Sequence, residues 1–540
     1  MPTLSWINDT QARQEASKVP FHLLEKVRSY GDPNSKNILV QGDNLLALKA
    51  LLPFYRGKVK CIYIDPPYNT GNAFEHYDDN LEHSQWLSLM YSRLVLLRDF
   101  LTEDGFFCCQ VDDQEGFYIK ILLDEIFGRN NYLTTFYIQV RYSNKTLAED
   151  SDYQKVIEQC HVYAKNKFLA KVNRPKEQYS IEKFCWEIEE NKPEKIIELG
   201  GKKVEIFLPD QYKIRKIDPC IHGLKETWAT GSLARVKASA GEFFELYLSD
   251  RKEIDGLGCL YKVYGIGADG LGYRYITGPK KITANKGKFY SGIPLERLEE
   301  LNNGGSFKEL PITNFLDLAG AFGNCRLEGN ASFTGGKKPE ILINKILSYF
   351  SNPNDWVMDS FLGSGTTAAV AHKMNRNYIG IEIGNHAITH CVPRLNGVIN
   401  GDHTGISKDI GWQGGGGFTF YKLGETVFDE MGIINPKVNF KTLAAYVWQK
   451  ETNSPTECQF CPLLGEYQGK SIFLLYNGIL GDKRPRAGNV LNKTVLKELL
   501  KNYPTDNEKI IYGDACFGIS NEELRAHKIT FKQIPYDLGM

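Results

Sequence analysis

Twelve cysteines in 540 residues are too few for a disulfide-stapled fold. Cys61, Cys108 and Cys109 fall inside apolar, strand-like runs and read as reduced core residues. No apolar run approaches the roughly 18 residues that a membrane-spanning helix needs. The N-terminus, with Asp9, Gln11 and Arg13, lacks the pattern of a signal peptide, so a cytoplasmic protein is expected. Neither sign of charge dominates: 65 basic and 65 acidic side chains give a formal net charge of +0. That balance excludes a polycation that coats nucleic acid indiscriminately, but it leaves room for a local basic surface. A phosphate loop ending in Gly-Lys-Ser/Thr is missing, which argues against nucleoside triphosphate binding. Cys458 and Cys461 form a Cys-x-x-Cys pair with no second pair and no close histidine pair, short of the four ligands of a structural zinc site. No metal is expected, and His161, His222 and His386 read as ordinary surface or core residues.

What is present is a globular composition, 42% hydrophobic and 24% charged, in a chain long enough for roughly three or four domains. Residues 1–35 read as a leader with a short helix over Phe21 to Val27. From 36 to 135, strands (Asn37 to Gln41, Val59 to Ile64, Phe106 to Val111) alternate with helices (Leu45 to Leu52, Ser84 to Leu101, Phe117 to Phe127). That rhythm predicts βαβ units and a mainly parallel sheet. It fades over 136–330, which reads as an inserted domain, and returns over 331–425. Four glycines, Gly414 to Gly417, mark an expected boundary before a small α/β module at 426–540, and no internal repeat is visible.

Two segments carry chemistry. The first, Ile62-Tyr63-Ile64-Asp65-Pro66-Pro67-Tyr68-Asn69, reads as a buried strand running into a corner stiffened by two prolines, each of which also restricts the residue before it. Strand ends of this kind are where open parallel sheets bind ligands. The second, Asp359-Ser360-Phe361-Leu362-Gly363-Ser364-Gly365-Thr366-Thr367, follows a predicted strand and opens a predicted helix. Gly363 and Gly365 allow a tight turn and close approach of a ligand to the main chain. The next strand ends at Glu382, a carboxylate placed to accept hydrogen bonds from both hydroxyls of a ribose.

In this order, the two segments resemble the amino-group DNA methyltransferases of the permuted "beta" arrangement, in particular the modification subunits of type III restriction-modification systems. The specific motifs cover 36–135 and 331–425, and the middle matches by position alone. The resemblance implies a Rossmann-like, S-adenosylmethionine-dependent methyltransferase fold with circularly permuted motif order, an inserted target-recognition domain at 136–330 and the C-terminal module. It implies catalytic roles for Asp65, Pro66, Pro67 and Tyr68. The Asp65 carboxylate and the Pro66 carbonyl would bind both hydrogens of an adenine amino group and localise its lone pair toward the methyl donor. Tyr68 would stack on the flipped base, worth about 1–3 kcal/mol. The cofactor would lie against Asp359, Phe361, Gly363, Gly365, Thr366 and Glu382, with Asp43 and Asn44 as further pocket residues, and Lys337-Lys338-Pro339 matches the segment that precedes this half. Asp in the first motif position resembles the adenine-N6 enzymes, whereas cytosine-N4 enzymes usually carry Ser there.

Arg274, Lys280, Lys281, Lys286 and Lys288 are interleaved with Tyr273, Tyr275, Phe289 and Tyr290 in a stretch without an acidic residue, a pattern suited to the DNA backbone. A solvated surface hairpin is the alternative for this stretch; the resemblance, which places target recognition here, makes double-stranded DNA the expected partner. Should cleavage belong to the system, a separate restriction (helicase-nuclease) subunit must supply it. A partner-docking or homodimerising role for 426–540 is left open. Two other readings stand beside adenine-N6 transfer: cytosine-N4 methylation, and a catalytically silent DNA-binding specificity subunit.

Overall fold

The computed structural model describes residues 3–69, 82–144, 152–228, 239–284, 286–303, 305–330, 333, 336–428, 434–455, 461–479, 483–486 and 488–534. Thr70, Gly71 and Asn72, which extend the first motif, lie outside them, as does Cys458. The chain divides into two compact units, one of residues 1–173 and 313–540 and one of 174–312.

The first unit is built on a ten-stranded sheet. Its strands are β1 (His22–Gly31), β2 (Ile38–Gln41), β3 (Val59–Ile64), β4 (Leu101–Val111), β5 (Tyr132–Gln139), β6 (Ile157–Ala164), β7 (Phe315–Asp317), β8 (Trp356–Asp359), β9 (Asn377–Glu382) and β10 (Gly417–Thr426). Their order is β1-β10-β2-β9-β8-β3-β4-β6-β5-β7. From β10 to β4 every pair is parallel; β6 then runs antiparallel to both β4 and β5. The strands from the second half of the chain, β8 and β9, thus insert between β2 and β3. That places the ends of β3 and β8, far apart in sequence, side by side.

Helices cover the sheet, α1 (Asp9–Lys18), α2 (Asn44–Tyr55), α3 (His83–Phe100) and α4 (Gly116–Leu123) from the first half, α5 (Glu340–Phe350), α6 (Thr366–Lys373) and α7 (Val392–Ile399) from the second. The apolar residues of α3, Trp86, Met90, Leu94 and Leu97, pack with Leu48 and Leu51 of α2 against Ile62, Ile64 and Phe107 of the sheet. Alternate residues point the other way, where Phe106 meets Phe350 of α5 with ring centroids 4.9 Å apart. Asp43 caps α2 by accepting from the backbone N–H groups of Leu45 and Leu46 at 2.9 and 3.2 Å.

Two local expectations give way to long-range pairing. Residues 21–27, expected to be helical, enter β1, and the helix of this region is α1 instead. Apolar side chains at 23, 24 and 27 suit either element, and antiparallel pairing with β10 decides between them. The four-glycine run is no loose boundary, because Gly417 opens β10 and its Cα lies so close to β1 that a Cβ would meet Tyr30 O and Asp32 N at 2.5 Å.

The compact second unit is narrower than the 136–330 insertion read from the sequence, because β5, β6 and β7 belong to the large sheet. It holds an eight-stranded, wholly antiparallel sheet, with strands 212–216, 184–190, 224–228, 288–291, 273–277, 260–264, 202–207 and 195–199 in spatial order. Residues 440–533 form a four-stranded sheet (463–467, 470–474, 508–513, 529–533) with helices at 440–452, 493–502 and 521–526. Among the described residues, no helix is long and apolar enough to cross a membrane.

Candidate active site

The carboxyl ends of β2, β9, β8, β3 and β4 deliver Asp43, Glu382, Asp359, Asp65 and Asp112 to one edge of the parallel sheet. The first-motif corner is fixed by its neighbours. Trp86 of α3 donates its indole N–H to the Pro67 carbonyl at 2.8 Å. Gln114 donates to the Asn69 carbonyl at 2.9 Å, and the Asn69 amide donates to Glu115 at 3.0 Å. Asn69 itself takes a left-handed φ of 57°, a conformation that Asn tolerates better than most residues. Among the described residues no donor reaches the Pro66 carbonyl.

Asp65 is largely enclosed, with 18% of its side chain exposed, and both its oxygens are engaged. The Tyr68 hydroxyl lies 2.7 Å from Oδ1, and the Lys338 ammonium lies 2.9 Å from Oδ2. A second carboxylate closes the group: Glu158 of β6 places Oε2 2.9 Å from the Tyr68 hydroxyl, 2.5 Å from Gln110 Nε2 and 3.6 Å from Lys338 Nζ. Tyr63 donates to Gln110 Oε1 at 2.7 Å, and the Lys338 ammonium sits 4.8 Å from the centre of the Tyr68 ring. Burial pushes the Asp65 carboxyl above its ordinary range, and Lys338 draws it back only in part. Burial also opposes the Lys338 charge, but Asp65 and Glu158 outweigh it and hold the ammonium above its usual value. The Tyr68 phenol is pushed well up, first by burial and then by the two carboxylates, so it stays protonated.

The second-motif loop is ordered by its own acids. Asp359 accepts from the Phe361 N–H at 2.9 Å and from the Thr367 hydroxyl at 2.6 Å, while burial raises its carboxyl to about 7. Glu382 accepts from the N–H groups of Gly363 and Gly384 at 2.7 and 3.0 Å. Gly363 and Gly365 hold φ of 55° and 81°, where a side chain would be strained. Thr366 donates its hydroxyl to the Lys338 carbonyl at 3.2 Å and accepts from Arg394 at 2.7 Å, so the loop and the Lys338 segment are tied together. Asn44 bridges to the same loop through the Ser360 carbonyl at 2.8 Å, and Arg93 braces Asp43 at 2.9 Å. Phe361 packs against the core around β3 and α3.

All twelve residues read from the sequence as catalytic or cofactor-binding therefore gather at neighbouring strand ends. The five basic candidates belong to the second unit and divide into two kinds. Lys280, Lys281 and Lys286 are exposed in the loop between strands 273–277 and 288–291. Arg274 pairs with Asp269 at 3.2 Å, and Lys288 pairs with Glu226 at 2.8 Å and lies 4.8 Å from the Trp228 ring. The acids that engage them lie outside the acid-free stretch. Glu158 and Gln110 escaped sequence reasoning, and Lys338 was noted only as part of a matching segment. The one available signal was a glutamate near the start of a strand, Ile157–Ala164, that also carries Gln159 and His161.

The sequence model of the DNA methylase family matches residues 59–392. A Haemophilus influenzae protein described as a probable type III restriction-modification enzyme HindVI Mod subunit is 33% identical over 421 residues, 74% of this chain and 55% of its own. The type III restriction-modification enzyme EcoPI Mod subunit of Escherichia phage P1 is 26% identical over 443 residues, covering 70% of this chain and 63% of that one. This chain thus spans between about half and two thirds of the length of these relatives. The solved structure titled "crystal structure of M1.HpyAVI-SAM complex" aligns with 66% of this chain and 99% of its own at 16% identity, with a TM-score of 0.29, a likeness too low to bear on the site.

Proposed function

This chain belongs to the DNA methylase family, and from that membership we propose that it transfers a methyl group from S-adenosylmethionine to adenine N6 in double-stranded DNA, as the modification component of a restriction-modification system. The observation that carries the reading is the adjacency of β3 and β8, which puts the Asp65 corner beside the Gly363–Gly365 loop. Asp, rather than Ser, at position 65 favours adenine N6 over cytosine N4. The relatives' description as Mod subunits supports a separate restriction subunit as partner.

The residues at the strand ends fit the cofactor. Ser360 Oγ and Gln41 Oε1, at the ends of β8 and β2, are buried without a hydrogen-bond partner among the described residues. Glu382 presents a carboxylate suited to a ribose. When bound, S-adenosylmethionine supplies a methyl group activated by a sulfonium. The surrounding charge suits such a ligand, since Asp65, Glu158 and Asp359 outnumber Lys338 at this edge.

An exocyclic adenine amine is a poor nucleophile because its lone pair is delocalised into the ring. Asp65 and the Pro66 carbonyl accept its two hydrogens, concentrate the lone pair on nitrogen and stabilise the positive charge that grows there. That grip requires the base to leave the duplex stack, at a cost of a few kcal/mol, which stacking on Tyr68 offsets in part. Modification-sensitive sequencing of DNA from a methylation-free host expressing this protein tests the proposal. N6-methyladenine at a defined sequence is expected; unmodified DNA, or N4-methylcytosine in its place, overturns it.

A further inference from the structure

Two carboxyl oxygens converge on the Tyr68 hydroxyl. Its oxygen lies 2.7 Å from Asp65 Oδ1 and 2.9 Å from Glu158 Oε2. Each of two oxygen–oxygen contacts is at full strength only with a hydrogen of its own. A phenol brings one, and ionised carboxylates bring none. Among the described residues the other donors point elsewhere, Lys338 at Asp65 Oδ2 and Gln110 at Glu158 Oε2. A proton on one of the two carboxyls would complete both contacts, as happens when like charges crowd one site.

Resting on the adenine reading above, we propose that Asp65 and Glu158 share one proton across the Tyr68 hydroxyl in the base-free enzyme, and that Glu158 is the acid–base partner through which the amino proton leaves. An adenine amine gripped at Oδ1 competes with the Tyr68 hydroxyl for that oxygen. Entry of the base moves the hydroxyl away, the chain breaks, and the shared proton stays on Glu158. Asp65 is left ionised against Lys338 and ready to accept. As the N6–methyl bond forms and the methyl–sulfur bond breaks, the amino proton passes to Asp65. Return of the Tyr68 hydroxyl rejoins the chain, and Glu158, with 17% of its side chain exposed, releases one proton to solvent. One proton leaves per methyl transferred, and the shared proton is restored.

The groups that bear on Asp65 are Lys338, Glu158, Tyr68, Tyr63, Cys109 and Asp359. Of these Glu158 disfavours its ionised form and Lys338 favours it. The acid limb of the pH profile of kcat/KM should therefore move down by about one unit in Glu158→Gln and up by a similar amount in Lys338→Gln. A structural role alone would scale both profiles without moving them. The second measurement needs no activity: infrared spectroscopy of the base-free enzyme at neutral pH should show a protonated-carboxyl stretch that disappears in Glu158→Gln. Limbs that stay in place, or a carboxyl band unchanged in Glu158→Gln, overturn the proposal. An enzyme that methylates no DNA yet shows the Glu158-dependent band would sink the functional reading and leave the shared proton standing.

Discussion

Asp65 and Glu382 are both carboxylates at parallel strand ends, yet their removal should have different consequences. On the proposed reading Asp65 acts on the amine, so Asp65→Ala should abolish methyl transfer while S-adenosylhomocysteine binding, read by calorimetry, stays close to that of the parent. Near-parental turnover would remove Asp65 from the catalytic role. Glu382 also organises its loop, accepting from the N–H groups of Gly363 and Gly384. Glu382→Ala should thus lose affinity for S-adenosylhomocysteine and also stability to urea, each on the order of 1.5–3 kcal/mol for a charged hydrogen bond. An unchanged urea midpoint would contradict the loop-ordering role. Tyr68 separates ring from hydroxyl: Tyr68→Ala should be less active than Tyr68→Phe, because stacking on the extruded base needs only the ring. Equal activity of the two would refute stacking on this side chain.

The segment that carries Lys338 is short and irregular, and a buried ion cluster holds it. Glu340, the first residue of α5, meets Lys373 of α6 at 2.8 Å and Arg394 of α7 at 2.9 Å, and Lys373 reaches Asp402 at 2.7 Å. All four side chains are buried, and Arg394 continues to Thr366 at the end of the second-motif loop. Two cations stay enclosed when Glu340 loses its charge, so Glu340→Gln should destabilise the protein by about 3–5 kcal/mol, the cost of leaving a buried charge uncompensated. Urea unfolding measures this, and a change well under 1 kcal/mol would mean the cluster is not a clamp. The helix-and-strand rhythm of this region was legible because its apolar spacing is local. The ion cluster was not, since its members lie on three helices and a loop that come together only on folding.

Across the whole chain, the second unit leaves Lys280, Lys281 and Lys286 exposed, whereas Arg274 and Lys288 are held by Asp269 and Glu226. Replacing the three exposed lysines with Ala should lower DNA affinity and flatten its salt dependence, by about 0.9 in the slope of log K against log salt for each phosphate no longer neutralised. Cofactor binding should be unaffected. A triple variant with the parental slope would make this loop an ordinary solvated turn. The sequence by itself determined the class of fold and pointed to a chemistry: two motifs whose residue types suit amine methylation, on strands alternating with helices. It did so because strand periodicity, proline stiffness and glycine turns are local properties of the chain. Only the tertiary structure decided that β8 lies against β3, that Glu158 arrives beside Asp65 through the antiparallel pairing of β6 with β4, and which basic residues are already paired. These are contacts between segments remote in sequence, where strand pairing and ion pairing are set by the partner and not by the residue alone.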